Sequence, residues 1–443
     1  MEAYTAMDKL SYDIFSLLET KFLFGPAGGC LSGPGTPAKS FLGSGDGRVR
    51  VLSIDGCGAG AAEDAFLAAA SLARLEAGLR EQSGDPDARV AEFFDVAAGA
   101  GAGGVLASML FLRGPDGRPR YSAEEALAFV AGNIGKDWGG RRGRWSKLFR
   151  GSRSGERSLH RVFGDATLQD TVAPLLVPCY DLATAAPFMF SRADAVESDA
   201  FDFRLRDVCA ATCAAGSVPT VVRSLDGVTA IAAASGGVAG MGNPTAAAIT
   251  HVLHNKQEFP LATSVDDVLV LSIGTGTTSS AAVTSGSNTP MPTRSPSTRE
   301  LARLAAEGVA DMVDESVAMA FGHACGSNYV RVQAGKSTAP VHADKAAAAA
   351  GAMLAQRNVE SVLFRGRRLS ERTNAEKVDA LATDLVKEHE RRRCSPLPNV
   401  AIKHVATLSP RLSSATTASS SATTTPRTTV STMPSPASCN SRR

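Results

Sequence analysis

Short apolar runs bounded by glycine alternate with longer amphipathic stretches along most of this chain. Val49-Arg50-Val51-Leu52-Ser53-Ile54 reads as a buried strand with Arg50 as its one charge, and it runs into the loop Asp55-Gly56-Cys57-Gly58-Ala59-Gly60. From Ala61 to Arg80, Phe66, Leu67, Leu72, Leu75 and Leu79 then recur at helical spacing. The alternation continues through 93–98, 104–112, 122–134, 174–182, 203–214, 228–233, 243–254, 267–273, 300–320 and 328–334. Strands in regular alternation with helices predict an α/β fold of three layers, its mainly parallel sheet covered on both faces.

The pattern changes at the flanks. Within 1–24, Asp8 to Phe24 places Leu10, Ile14, Phe15, Leu17, Leu18, Phe22 and Leu23 at near-helical spacing, an amphipathic helix of about four to five turns. It reads as docked on the main domain, with a membrane surface or a partner protein as the alternatives. Residues 25–47, rich in Gly, Pro and Ser, form a linker. The central domain, 48–335, is interrupted by a basic insertion at 136–161 and by a Ser/Thr/Pro loop at 276–299. Residues 336–393 read as a helical C-terminal extension. The rest, 394–443, is a Ser/Thr/Pro-rich tail too polar to order itself.

Composition narrows the function classes. The 443 residues are 44% hydrophobic and 20% charged, ample for one large α/β domain. A net charge of +2 gives nucleic acid no general footing. The eight cysteines contain no C-x-x-C pair, and Cys209 and Cys213, one helical turn apart, have no histidine at ligand spacing. They read as reduced thiols, with no metal and no cofactor implied. The first residues carry an acid at Glu2 and no apolar core of leader length, and no run of about 18 apolar residues occurs. The expectation is a cytoplasmic protein, peripheral at membranes where it meets them. Cys30 is the one candidate for lipid attachment.

Candidate chemistry sits in two glycine-rich turns. Phe93 to Ala98 reads as a strand, Gly99-Ala100-Gly101-Ala102-Gly103-Gly104 as a tight turn, and Val105 onward as a helix. This is the context of a nucleophile elbow, G-x-S-x-G, with Gly101 at the nucleophile's place. The loop Gly56-Cys57-Gly58 offers backbone N–H groups at a helix N-terminus, suited to a phosphate or a developing oxyanion. A dinucleotide fingerprint is incomplete because position 61 is alanine, and a P-loop lacks its Gly-Lys-Ser/Thr ending. Both turns follow consecutive strands and are expected at one sheet edge.

Several stretches together resemble the patatin-like phospholipases. They are Val51-Leu52-Ser53-Ile54-Asp55-Gly56-x-Gly58, the elbow after Phe94-Asp95, and Gly236-Gly237-Val238 with Asn243-Pro244-Thr245. Asp8 to Phe15, Asn243 to Lys256, Val268 to Gly274, Asn328 to Val332 and Glu360 to Phe364 are similar to a plant subgroup whose elbow is G-x-G-x-G. The resemblance covers roughly 8–390. It implies the patatin fold and hydrolysis of acyl esters of membrane glycerolipids, phospholipids and galactolipids, by a Ser–Asp dyad with an oxyanion loop. Carried over by position, the serine falls on Gly101, the aspartate on Ser235, and the oxyanion loop on Gly56, Cys57 and Gly58.

Gly101 cannot attack and Ser235 cannot act as a base near neutral pH, so the expected acyl hydrolase is weak. The alternative is a catalytically inactive lipid-binding or regulatory protein; a third class is a partner-binding scaffold acting through 8–24. Cys57 as a thiolate at a helix N-terminus, Asp55 activating a water in the space left by Gly101, and the histidines His251 and His254 are the candidate rescues. Arg141, Arg142, Arg144, Lys147 and Arg150, interleaved with Trp138, Trp145, Leu148 and Phe149, suit an anionic membrane surface.

Overall fold

The computed structural model describes residues 47–56, 62–134, 153–214, 220–235, 240–276, 295, 298–334, 346–362, 366–395 and 400–402. Among them, eight strands form one sheet: β1 (Val49–Ile54), β2 (Val96–Gly99), β3 (Leu175–Asp181), β4 (Ala186–Ser191), β5 (Thr220–Arg223), β6 (Ala230–Ser235), β7 (Val268–Ile273) and β8 (Tyr329–Val332). The order is β5-β6-β3-β2-β1-β7-β8, with β4 paired to β3. β3, β2, β1, β7 and β8 run parallel to one another, while β4, β5 and β6 pair antiparallel. The mainly parallel sheet expected from the alternation is therefore present.

β1 and β7 are buried at every position, which is why they read as continuous apolar runs. Their side chains alternate between two cores. Leu52, Ile54, Leu271 and Ile273 face α1 (Ala62–Ser83), α2 (Gly101–Phe111) and α3 (Ala123–Ile134). Val49, Val51, Val268 and Val270 face the opposite layer. There α7 (Thr245–His254) supplies Ala248, Ile249 and Val252, and α8 (Thr298–Phe321) supplies Val317 and Phe321. The register Ile54↔Gly99, Ile54↔Ile273 and Ile273↔Val332 brings four strand ends level, so the loops that follow open at one edge.

The structure redraws three expected segments. The basic insertion ends earlier than 161: α4 (Arg153–Phe163) turns Leu159, Val162 and Phe163 into the core, and the Tyr121 hydroxyl donates to the Val162 carbonyl at 2.8 Å. Two short helices then complete this side, α5 (Arg192–Glu197) and α6 (Leu205–Thr212). The extension at 336–393 is not purely helical. Between α9 (Ala346–Leu354) and α10 (Asn374–Cys394) lies an antiparallel hairpin, β9 (Arg357–Val362) and β10 (Gly366–Thr373). Its charges, Arg357 and Glu360 on one strand and the pairs Arg367-Arg368 and Glu371-Arg372 on the other, break the period-two alternation that would announce a hairpin. The expected tail starts too early, since the Ala401 N–H donates to the Glu258 carbonyl at 2.8 Å. The expected helix at 8–24, the linker with Cys30, the basic cluster Arg141 to Arg150 and the tail from 403 lie outside the described residues.

α10 belongs to the body of the domain. It packs on α1, where Arg74 and Asp379 pair at 2.6 Å, and it closes the N-terminal edge of the sheet through buried charges. Asp95, just before β2, accepts from the Arg50 backbone N–H at 2.8 Å, from Arg50 Nη2 at 3.0 Å and from Arg392 Nη2 at 2.8 Å. Burial pushes the Asp95 carboxyl upward, but the guanidinium groups of Arg50 and Arg392 outweigh it and hold the group well below the usual carboxylate range. Such a group contributes stability that is present above the unfolded value near pH 4 and lost as pH falls below it.

Asp95→Asn would leave buried Arg50 and half-buried Arg392 without their counter-charge, and it is expected to destabilise the fold by about 3–5 kcal/mol at neutral pH. It should also flatten the loss of stability on acidification below about pH 4. Urea unfolding of both proteins across a pH series measures both effects.

Candidate active site

β2 ends at Gly99 and α2 begins at Gly101, so the chain passes from strand to helix through Ala100 alone. Gly101 sits at φ +51°, in the left-handed region that glycine adopts without strain. Three hydrogen bonds hold the turn: Ala100 N–H to the Ile54 carbonyl at 3.1 Å, Gly104 N–H to the Ala100 carbonyl at 3.1 Å, and Gly101 N–H to Thr212 Oγ1 at 2.9 Å.

Close backbone approach explains the glycines around it. A β-carbon at Gly99 would lie 2.5 Å from the Gly103 carbonyl oxygen, and one at Gly103 would lie 2.5 Å from that of Ile54. One at Gly56 would lie 2.0 Å from the Ala100 carbonyl oxygen. Gly101 differs from all three, because a β-carbon there meets Gly56 Cα at 3.6 Å and its carbonyl carbon at 3.7 Å, ordinary contacts. The elbow has room for a side chain at its apex and carries none.

Ser235 is placed by an unusual sheet arrangement. β4 pairs with β3 from Leu176 to Asp181 and fills one side of it. β2, at Leu175 and Leu176, and β6, from Cys179 to Asp181, must therefore share the other side, end to end. β6 runs down toward β2 and finishes at Ser235, opposite Cys179. From the Ala98–Leu176 row to the Cys179–Ser235 row is about 10 Å along β3, at ~3.3 Å per residue. The chain at the end of α6 tethers both positions, Thr212 through Gly101 and Ala214 by accepting the Ser235 N–H at 2.9 Å. Gly101 and Ser235 are thus both buried and both tied to the chain at the end of α6.

Gly56, the first residue of the expected oxyanion loop, follows β1 and lies against the elbow. The Gly56 N–H already donates to the Gly242 carbonyl at 2.9 Å, while Cys57 and Gly58 lie outside the described residues. Asp55 is engaged by an arginine of β8. Its Oδ2 accepts from Arg331 Nη2 at 2.6 Å, and Oδ1 is buried without a hydrogen-bond partner. Burial outweighs the Arg331 guanidinium and raises the carboxyl to about 6. His251 and His254 lie in the last turn of α7, where His251 packs against Phe259.

The sequence pattern did not reveal the polar seam under this edge. Thr245 Oγ1 lies 2.9 Å from Ser53 Oγ, 2.9 Å from Ser272 Oγ and 2.6 Å from Asn243 Oδ1. Arg331 Nη1 donates to Ser272 Oγ at 2.7 Å. Two signals were present: the tetrapeptide Val-Leu-Ser-Ile occurs at 51–54 and again at 270–273, and Arg331 is the one charge between Tyr329 and Val332. The paired strands set the two serines side by side.

No nearby thiol among the described residues replaces the missing nucleophile. Burial pushes Cys179 and Cys209 each up to about 12, and Cys213 well above the ordinary thiol value. Among the described residues no group of three His, Cys, Asp or Glu side chains is placed to hold a metal.

A profile for the family described as patatin-like phospholipase matches residues 52–249, which run from β1 through the elbow and Ser235 into α7. Patatin-like protein 3 of Oryza sativa subsp. indica is 52% identical over 405 residues, covering 88% of this chain and 92% of that protein. Patatin-like protein 7 of Arabidopsis thaliana is 44% identical over 424 residues, covering 89% and 84%. A third relative from Arabidopsis thaliana bears the name Probable inactive patatin-like protein 9 and is 39% identical over 394 residues, covering 86% and 93%.

The elbow geometry separates position 101 from its neighbours. Gly101→Ser is expected to fold at a cost of about 1–2 kcal/mol, that of a side chain in the left-handed region. Gly103→Ala, which forces a β-carbon onto the Ile54 carbonyl, should cost more than that. Thermal unfolding of the two variants beside wild type checks the order.

Proposed function

This chain belongs to the patatin-like phospholipase family, and from that premise we propose that it binds acyl esters of membrane glycerolipids at the elbow and hydrolyses them slowly. The observation that carries the reading is an intact left-handed turn at Gly101, a place that holds no nucleophile, and the residue matched to the family's aspartate, Ser235, holds no carboxylate. The family is of the lipid acyl hydrolase type; phospholipids and galactolipids are the substrates proposed here. The G-x-G-x-G elbow sets this chain apart from members with a serine.

The chemistry available is electrostatic and positional. Loss of a nucleophile and its base costs on the order of 10⁶ in kcat, whereas binding and oxyanion donors alone retain about 10³–10⁴ over water. In this reading the donors are the N–H groups of Cys57 and Gly58, since that of Gly56 is engaged by Gly242. Asp55, with its carboxyl raised to about 6 and Oδ1 unpartnered, is the one described carboxylate at the end of β1 suited to hold a water. Contact with an anionic leaflet is assigned to Arg141, Arg142, Arg144, Lys147 and Arg150, each contributing about 1 kcal/mol near such a surface. The place of action is the cytoplasmic face of a membrane. Among the described residues no helix is long and apolar enough to cross one.

The second reading is a catalytically inactive lipid-binding or regulatory protein. It is favoured by the same absence at Gly101 and by the presence of a relative named as probably inactive.

Fatty-acid release from mixed phospholipid–galactolipid vesicles decides between them. Slow release by wild type, lost in Gly58→Pro and raised by at least about 10²-fold in Gly101→Ser/Ser235→Asp, is the expected result. Release by the restored double variant alone would establish the inactive reading.

A further inference from the structure

α8 buries acids on the same side as its apolar Ala310, Val317 and Phe321: Glu307 and Asp314 are buried and Asp311 is half-buried. Asp314 accepts from the Tyr329 hydroxyl and lies 3.9 Å from Arg331, while Asp311 pairs with Arg367 at 2.6 Å. The opposite face carries Leu301, Leu304, Val309, Met312 and Met319, exposed by 40% to 65%. At about 100° per residue, Leu301, Met312 and Met319 fall on one line, flanked by Leu304 and Val309. Ala305, Gly308 and Ser316 fill most of the rest of this face, and half-buried Glu315 is the one charge within it, beside Leu304. A helix ordinarily points such a stripe at a core, and a continuous exposed one marks a surface that something covers.

We propose that the covering element is this chain's own segment 8–24, which lies outside the described residues. The place where the chain joins the fold supports it. Arg48, next to the first described residue, donates from Nη1 to Asn328 Oδ1 at 2.6 Å, and Asn328 lies shortly beyond the end of α8. The described chain therefore begins at the Met319 end of the stripe. A Gly-rich linker the length of 25–46 has a root-mean-square span of about 25 Å. From Leu301 to Met319 the stripe is about 27 Å long, and a helix over 8–24 would measure about 25 Å. Leu10, Ile14, Leu17 and Leu18 supply apolar side chains at matching helical spacing. Tethering holds the segment near the stripe at an effective concentration of about millimolar, so a modest apolar contact suffices.

Hydrogen exchange on the full-length protein tests this. Amides of 8–24 are expected to exchange at least about tenfold more slowly than an unprotected chain. Leu304→Glu/Met312→Glu should abolish that protection, with exchange in β1 and β7 unchanged as the control for folding. Ile14→Glu/Leu18→Glu should abolish it as well and speed exchange in 301–319. Unprotected 8–24 in wild type, or protection indifferent to the stripe charges, would overturn the proposal. So would protection lost on dilution, which assigns the stripe to a second copy. Protection seen only after adding phosphatidylcholine–phosphatidylglycerol vesicles would assign the stripe to a bilayer and overturn the proposal equally.

Discussion

Two backbones pressed together at the end of a parallel sheet set the terms for everything around them. Gly56 approaches the Ala100 carbonyl so closely that a β-carbon would lie 2.0 Å from its oxygen. This contact exists because β1 and β2 are adjacent, parallel and level at Ile54 and Gly99. It fixes the glycine-rich loop against the elbow, and it is available only to a residue without a side chain. Gly99 and Gly103 answer to the same crowding from the other side of the turn. Glycine at these three places is a packing requirement before it is a chemical one.

The polar seam on the α7–α8 side is the second constraint, and it propagates outward. Arg331 is buried on β8 and needs partners, which Asp55 and Ser272 provide at 2.6 and 2.7 Å. Asp314 and Tyr329 extend the network to α8. The inward face of α8 is thus mixed, Asp314 beside Arg331 and Tyr329 with Ala310, Val317 and Phe321 around it, while a second set of apolar residues faces out. The pairing also leaves one Asp55 oxygen buried and unpartnered at the end of β1. A half-satisfied carboxylate is costly to keep charged there, which is why its raised value accompanies the ion pair.

Much of the sheet was legible because its strands are buried on both faces and therefore read as unbroken apolar runs between glycines. The elbow was legible for a related reason, since clustered glycines next to an apolar strand have few other uses. Less visible were the features that depend on long-range partners. β4 is half-exposed and mixed in character, β5 has only four residues, and the β9–β10 hairpin is dense with arginine. Arg331 is a lone charge in its strand, but its link to Asp55 spans most of the chain and has no local signature. Ser235 could be matched by position, whereas the end-to-end abutment of β2 and β6 that delivers it appears only in the pairing.

Gly101 is the position where structure and chemistry part. Its neighbours are held to glycine by contacts of 2.0 to 2.5 Å, but its own hypothetical β-carbon stands 3.6 Å from Gly56 Cα, the nearest atom beyond its own turn and helix. Packing therefore tolerates a side chain at the apex and does not demand its absence. What glycine gains is conformational, because φ +51° strains any other residue by about 1–2 kcal/mol. A serine at this apex stores that strain for the sake of reactivity, so a chain that no longer needs the hydroxyl becomes more stable by giving it up. The turn persists because Gly56, Gly99 and Gly103 still enforce it. The missing nucleophile is thus compatible with an undamaged elbow, and a site can keep the shape that holds an ester after losing the group that cleaves it.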